Sequence, residues 1–335
     1  MHVLQNSKDY YYKDSLKENI NSKKILKNIP ENENIYVSLS GGVDSMVLIS
    51  ILHASKYPVH ALHVNYNNRQ DANDEQRFLE KWCIDHNIPI NVLNISLKRT
   101  ETSRDNYEKY TKKLRYDFYK KHSSFVLLGH HKNDIIENVF ANIMQSKSIF
   151  DLCSMSITSV INDITVYRPL IHMYKNEIYD IAHNYNIPYL KDSTPTWSIR
   201  GKLRNLFPMI ENIYPNYESA LYNLAYECNE WRSIANNYII QNIVSQVQYK
   251  GNDKNIWINF PYNQLIVYKS LCVWRFVISM AVHDMDLPMI SNKALQELYS
   301  VVVERSCSNF KNKSIGKYVK SHCDTTHLTL EYLKK

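Results

Sequence analysis

The chain has 335 residues and carries 40 Lys and Arg against 33 Asp and Glu, a formal charge of +7, so it is long enough for two domains and leans only moderately toward a polyanionic partner. No stretch is apolar for long enough to span a membrane, and residues 1–28 lack the apolar segment of a secretion signal. The six cysteines, Cys83, Cys153, Cys228, Cys272, Cys307 and Cys323, contain no C-x-x-C pair, which removes the signature of a zinc ribbon or a cysteine-ligated iron–sulfur cluster and suits reduced thiols in a cytoplasmic compartment.

Residues 1–33 read as a polar, lysine-bearing N-terminal extension. Beyond them apolar runs alternate with amphipathic ones. Strands are predicted at Ile35–Leu39, Val59–Val64, Ile90–Ile95 and Phe125–Leu128, and helices at Ser45–Lys56, Asp74–His86, Tyr107–Lys121 and Asn133–Gln145. Repeated βα units imply an α/β fold with a parallel, doubly wound sheet whose ligands bind beyond the carboxyl ends of the strands.

The residues at those ends carry chemistry. The first strand runs into Ser40-Gly41-Gly42-Val43-Asp44-Ser45, where two glycines and a helix N-terminus would leave backbone N–H groups free for a phosphate. Ser40 and Ser45 add hydroxyl donors, and Asp44 adds a carboxylate suited to Mg²⁺. Neither a Walker lysine nor G-x-G-x-x-G is present. The second strand is followed by His63-Val64-Asn65 and then Arg69, and the fourth by Gly129-His130-His131-Lys132-Asn133-Asp134 and Glu137. With a helix starting near Asn133, Asp134 and Glu137 share one face of its first turn; they suit a metal or a cationic substrate, or simply cap the helix and complement its dipole.

A helix is predicted over Tyr174–Tyr185, and Arg200, Lys202 and Arg204 follow where a nucleotide domain of residues 34–215 gives way to residues 216–335. These three basic residues read either as contacts to RNA phosphate or as ion pairs closing that junction. The second half reads as a mainly helical domain, with RNA among the partners it suits. Leu221, Leu224, Ala225, Cys228, Trp231, Ile234 and Ala235 recur at helical spacing as a core stripe. Further helical patterns cover Tyr262–Val282 and Ala294–Val303, with a short strand at Trp257–Phe260. Its tyrosines suit half-buried packing or stacking on bases, and Lys311, Lys313, Lys317 and Lys320 a solvated face or an anionic partner.

The S-G-G-x-D-S loop resembles the PP-loop of the ATP pyrophosphatase superfamily. Further motifs resemble the tRNA(Ile)-lysidine synthetase family in order: His63 to Arg69 for H-V-N-H-G-L-R; Thr111 to Tyr116 for A-R-x-x-R-Y; Gly129 to Asn138 for G-H-H-x-D-D-x-x-E-T; Arg168-Pro169-Leu170; and Arg200 to Arg204 for R-N-x-[IL]-R before Pro208. The resemblance covers Asn34 to Pro215. Departures are Tyr66 for the second His, Asn67-Asn68 for Gly-Leu, Lys112 for an Arg, Asn133 for the first Asp, Asn138 for Thr and Gly201 for Asn.

What the resemblance implies is ATP held by Ser40, Gly41, Gly42, Val43, Asp44, Ser45, His63 and Asn65, with Mg²⁺ on Asp44 and Asp134. It further implies catalysis by Asp44, His130, Asp134 and Arg115, a lysine substrate on Asp134 and Glu137, and tRNA phosphate on Arg200, Lys202 and Arg204. The implied reaction adenylates the C2 carbonyl of an anticodon cytidine and ligates lysine to it. A PP-loop tRNA thiolase, an amide-forming small-molecule synthetase and a non-catalytic RNA-binding relic are the alternatives, and the lack of C-x-x-C pairs counts against the thiolase.

Overall fold

Side-chain alternation along the strands builds a sheet that is buried on both faces. In β1 (Ile35–Ser38), Ile35 and Val37 enter one core while Tyr36 packs on another; in β2 (Val59–Asn65), Val59 and Ala61 part from Leu62 and Val64 in the same way. With β3 (Ile90–Asn94), β4 (Phe125–Leu127), β5 (Thr158–Ile161) and β6 (Ile164–Tyr167), they form a six-stranded sheet in the order β3-β2-β1-β4-β6-β5. All pairings are parallel except β5 with β6. The computed structural model describes residues 3–4, 12–30, 33–67, 71–97, 101–152, 155–190, 198–237, 241–285, 287–304, 310–316, 319–324 and 326–333. Arg69, Cys153, Cys307 and Lys317 fall outside them, as do the side chains of Lys311 and Lys313.

The chain divides into two units, one of residues 1–146 and 152–225, the other of 147–151 and 226–335. In the first, helices α1 (Val43–Ala54), α2 (Ala72–Asp85) and α5 (Lys175–Asn184) cover one face of the sheet with side chains such as Met46, Leu48, Trp82 and Ile178, and α3 (Arg104–His122) covers the other with Tyr116, Phe118 and Tyr119. Helix α4 (Lys132–Met144) precedes β5, while α6 (Ile199–Ile213) and α7 (Tyr217–Ala235) follow α5. The doubly wound α/β sheet expected from the sequence is present, and the eight predicted βα elements lie within three residues of their observed ends. The antiparallel β5–β6 hairpin was not foreseen. Leu16, Ile25 and Ile29, from the stretch read as an extension, are 5% exposed or less and belong to the first core.

In the second unit, helices α8 (Leu271–Asp284) and α9 (Asn292–Tyr299) share a core with an antiparallel sheet of β7 (Gln248–Gly251), β8 (Asn255–Pro261), β9 (Phe310–Gly316), β10 (Val319–Cys323) and β11 (His327–Leu333), ordered β9-β10-β11-β8-β7. The sequence led to expect only part of β8. The helical run expected over Tyr262–Val282 is two helices, Tyr262–Leu265 and α8. The stripe expected to face the core on α7 is divided: Ala225, Cys228 and Ala235 are buried, whereas Trp231 is 61% and Ile234 46% exposed.

Candidate active site

The carboxyl ends of β1 and β4 meet where the strand order reverses, which is where an open α/β sheet leaves its crevice. The loop after β1 is tightly determined. Gly41 has φ +86°, and a Cβ there would lie 2.5 Å from Leu190 Cδ1, so only glycine fits both the conformation and the space. Gly42 is the N-cap of α1 and its N–H donates to Ser40 Oγ at 3.3 Å. The Ser45 hydroxyl donates to Gly42 O at 3.1 Å and accepts from Ser40 N–H at 3.2 Å. Across from it, a Cβ on Gly129 would come within 3.1 Å of the Asp44 and Ser45 backbone, so the glycine after β4 is what lets the two loops close on each other.

Charged side chains converge beside this loop. Lys175, the first residue of α5, donates to both Asp44 oxygens at 2.7 and 2.6 Å. Arg200 donates from Nη2 to Asp134 Oδ1 at 2.7 Å and from Nε to Glu137 Oε2 at 2.6 Å, and Arg204 Nε donates to Glu137 Oε1 at 3.1 Å. Asp134 also accepts the His131 backbone N–H at 3.0 Å, the helix-capping role, with its other oxygen. Burial alone would raise the Asp134 pKa, but His131, Arg200 and His130 outweigh it and hold the carboxyl below its ordinary value.

The two histidines differ. His130 Nδ1 accepts from Arg168 Nε–H at 3.1 Å, and burial, reinforced by Arg168, Arg200 and Arg115 against the pull of Asp134, pushes its pKa down to about 4. His131 is 2% exposed; its Nε2 lies 3.5 Å from Asp44 Oδ1 and 3.6 Å from Asp134 Oδ2, while Nδ1 has no partner among the described residues. Burial lowers its pKa as well.

Other residues singled out by sequence take varied places. Arg115 bonds Tyr66, the residue standing where the resembled family has its second His, and its buried Nε has no partner among the described residues. His63 Nδ1 is bonded to Leu39 O at 2.8 Å, behind the loop. Asn65 is 2% exposed and spends its amide on Gln76, Asn73 and Ala72, a scaffold role that organises the turn after β2. Val43 is buried at the start of α1 and Lys202 is exposed. Arg200 and Arg204 are thus engaged by carboxylates, the arrangement of the ion-pair reading. Lys175 was not singled out. A cation in the first turn of a helix opposes the helix dipole, and that was the available sign of an acid waiting for it.

The chemistry of these groups fits a nucleotide with a hard cation. A glycine loop capping α1 offers N–H groups to phosphate, and the Asp44 and Asp134 carboxylates converge on one imidazole, an oxygen pair of the kind that holds Mg²⁺ together with phosphate oxygens.

A family model of the PP-loop domain matches residues 15–208. The chain belongs to this family. It is similar to the tRNA(Ile)-lysidine synthase of Thermotoga maritima, at 23% identity across 87% of this chain and 72% of that protein. It is similar also to the enzyme of the same name from Mycoplasma mycoides, at 26% identity across 86% of this chain and 70% of that one. Among solved structures, the U34-tRNA thiolase NcsA from Methanococcus maripaludis, solved with its 4Fe-4S cluster, aligns with a TM-score of 0.51 over 65% of this chain and 80% of its own, at 18% identity, a likeness of fold alone. The resemblance read from the motifs is borne out by these relatives.

Proposed function

We propose that this member of the PP-loop family is an ATP-dependent tRNA-modifying ligase that joins lysine to an anticodon cytidine with release of AMP and pyrophosphate. The observation that carries the reading is the meeting of Asp44 and Asp134 around His131 at the mouth of a glycine loop, in a chain whose relatives at this level of coverage are named tRNA(Ile)-lysidine synthases.

In this reading the Ser40–Ser45 loop holds the polyphosphate, with its N–H groups and hydroxyls directed at the leaving pyrophosphate. Asp44 and Asp134 are the residues that would hold Mg²⁺, which when bound neutralises charge on the phosphate oxygens. Lys175 can exchange its carboxylate partner for a phosphate oxygen, so the same movement that bares Asp44 supplies a cation to the nucleotide. Arg115, whose buried Nε–H has no partner among the described residues, suits an anion or the base carbonyl. The cytidine O2 attacks the α-phosphorus and pyrophosphate departs; the lysine ε-amine then attacks C2, sheds a proton and expels AMP. The target base must leave its stack for this.

The test is incubation of the full chain with ATP, Mg²⁺, L-lysine and tRNA bearing an unmodified anticodon cytidine. Nucleoside digests are read by mass spectrometry and nucleotides by chromatography. A lysine adduct of cytidine with stoichiometric AMP is expected. ADP as the main product, or no adduct on any tRNA, overturns the reading.

A further inference from the structure

A cavity of about 260 Å³ opens beside the charged cluster, lined by His131, Asn133, Glu137, Lys175, Glu211 and Glu218 among others. Its size is just below the range that holds larger ligands, and suits a molecule the size of an amino acid. The acids expected from sequence to receive a cationic substrate are already compensated: Asp134 is held by Arg200, and Glu137 by both Arg200 and Arg204. Glu218, in the first turn of α7, is not. Its Oε1 accepts from Asn133 Nδ2 at 2.6 Å and from the Tyr217 hydroxyl at 3.3 Å, both neutral donors, and no cation lies within ion-pairing distance of it among the described residues.

Asn133 shows why the charge sits there. Its Oδ1 accepts the Lys175 backbone N–H at 3.0 Å, which directs its amide N–H₂ to Glu218. A carboxylate at position 133 would still accept from Lys175 but would set a second negative oxygen at hydrogen-bond distance from Glu218, an arrangement in which one of the two acids must stay protonated. The amide at 133 and the carboxylate at 218 therefore belong together. The surroundings support a negative wall: the Tyr217 hydroxyl is raised far above its usual range, by burial first and then by Glu218, Glu211 and Glu137. His131 also lines this cavity.

We infer that Glu218 is the carboxylate that receives an ammonium group of the amine substrate, with Asn133 orienting it, so that the negative charge which the resembled family carries at position 133 is here supplied from helix α7. This rests on the reading of the site as one that takes an amine nucleophile. The balance of three acids to two bases in the cavity wall matches a ligand with one net positive charge.

Calorimetric titration of the full chain with L-lysine, in Mg²⁺ and a non-hydrolysable ATP analogue, tests it. The isosteric Glu218→Gln, at a half-buried site, is expected to weaken lysine by about tenfold or more, the loss of one charge-assisted contact, while leaving norleucine, which lacks the ε-ammonium, bound as weakly as before. The paired variant Asn133→Asp with Glu218→Gln returns the charge to α4 and is expected to recover lysine to within about threefold of the wild type. Equal lysine affinity in the wild type and Glu218→Gln, no lysine binding by the wild type, or a paired variant as weak as the single one overturns the inference. Nucleoside analysis separates it from the wider reading: weakened lysine binding without any adduct on tRNA leaves Glu218 in place and removes the ligase, whereas adduct formation with lysine affinity indifferent to Glu218 does the reverse.

Discussion

Replacing Arg200 by Gln separates a junction of ion pairs from an RNA contact. The guanidinium makes two hydrogen bonds, at 2.7 Å to Asp134 and 2.6 Å to Glu137, whose carboxylates are 5% and 9% exposed. Breaking a buried pair costs about 3–5 kcal/mol because a charge is stranded, whereas an exposed pair is worth about 0–1 kcal/mol. The guanidinium is 42% exposed, Arg204 still holds Glu137, and the His131 N–H still holds Asp134. Only part of the buried figure therefore applies, and the expected loss near neutral pH is about 1.5–3 kcal/mol.

The pH dependence has a definite sign. Because the folded Asp134 pKa lies below its ordinary value, the stability it contributes is complete above about pH 4–5 and is lost as pH falls through the depressed folded value. Arg200→Gln removes one cause of that depression. The gap between wild type and variant should be full at neutral pH and narrow below about pH 4. Urea denaturation across this range reads it. Stability at neutral pH unchanged within about 0.5 kcal/mol, together with a weaker salt dependence of tRNA binding, refutes the reasoning and returns Arg200 to the RNA.

Lys202 is exposed beside these pairs; Lys202→Gln should flatten the log–log salt dependence of tRNA binding by roughly 0.7–0.9 if it meets a phosphate, without a change in denaturation midpoint. Asp44→Asn should lower AMP and pyrophosphate release by about a hundredfold or more, yet shift stability by only about 1–2 kcal/mol because the pair with Lys175 is 21–22% exposed on either side; labelled-ATP chromatography and urea denaturation check the two halves. Gly41→Ala forces both a strained φ and a clash with Leu190, and should destabilise by about 1–3 kcal/mol while abolishing ATP turnover; a scanning calorimetry trace at the wild-type midpoint would contradict this.

The first unit was legible because period-two strands and amphipathic helices alternate in it without interruption, and because the chemistry of a parallel sheet gathers at strand ends. The β5–β6 hairpin escaped although its signal was present. Asn162 and Asp163 both have positive φ, 51° and 61°, the conformation of a two-residue hairpin turn, joining two short runs with no helix between them to mark a βα unit. In the second unit the alternation in β11 was equally plain: Leu328, Leu330 and Tyr332 are 0%, 0% and 2% exposed. It was overlooked because the helical patterns nearby set the expectation for the whole region. The engagement of Asn65 with its own turn and of Lys175 with Asp44 lay beyond the sequence for a different reason. Sequence places a side chain after a strand or at a helix start, but whether it turns to the ligand crevice or to a neighbouring turn is decided by packing partners many residues away.

The balance of charge in the site bears on how a ligand can enter it. Asp44, Asp134 and Glu137 are met by Lys175, Arg200 and Arg204, three of each sign. Arg200 spans two carboxylates and Glu137 is held by two arginines, so drawing either arginine to an anion leaves a buried acid short of a partner, a penalty that grows with burial. Lys175 is bound to one carboxylate only, with a flexible stem and an ammonium that needs no fixed plane. An incoming polyphosphate therefore displaces Lys175 at least cost, and the carboxylate it uncovers is Asp44, the acid of the glycine loop. The arginines stay with Asp134 and Glu137, which under the proposed function leaves Glu218, rather than the acids the motif makes most conspicuous, as the open carboxylate for a cationic second substrate.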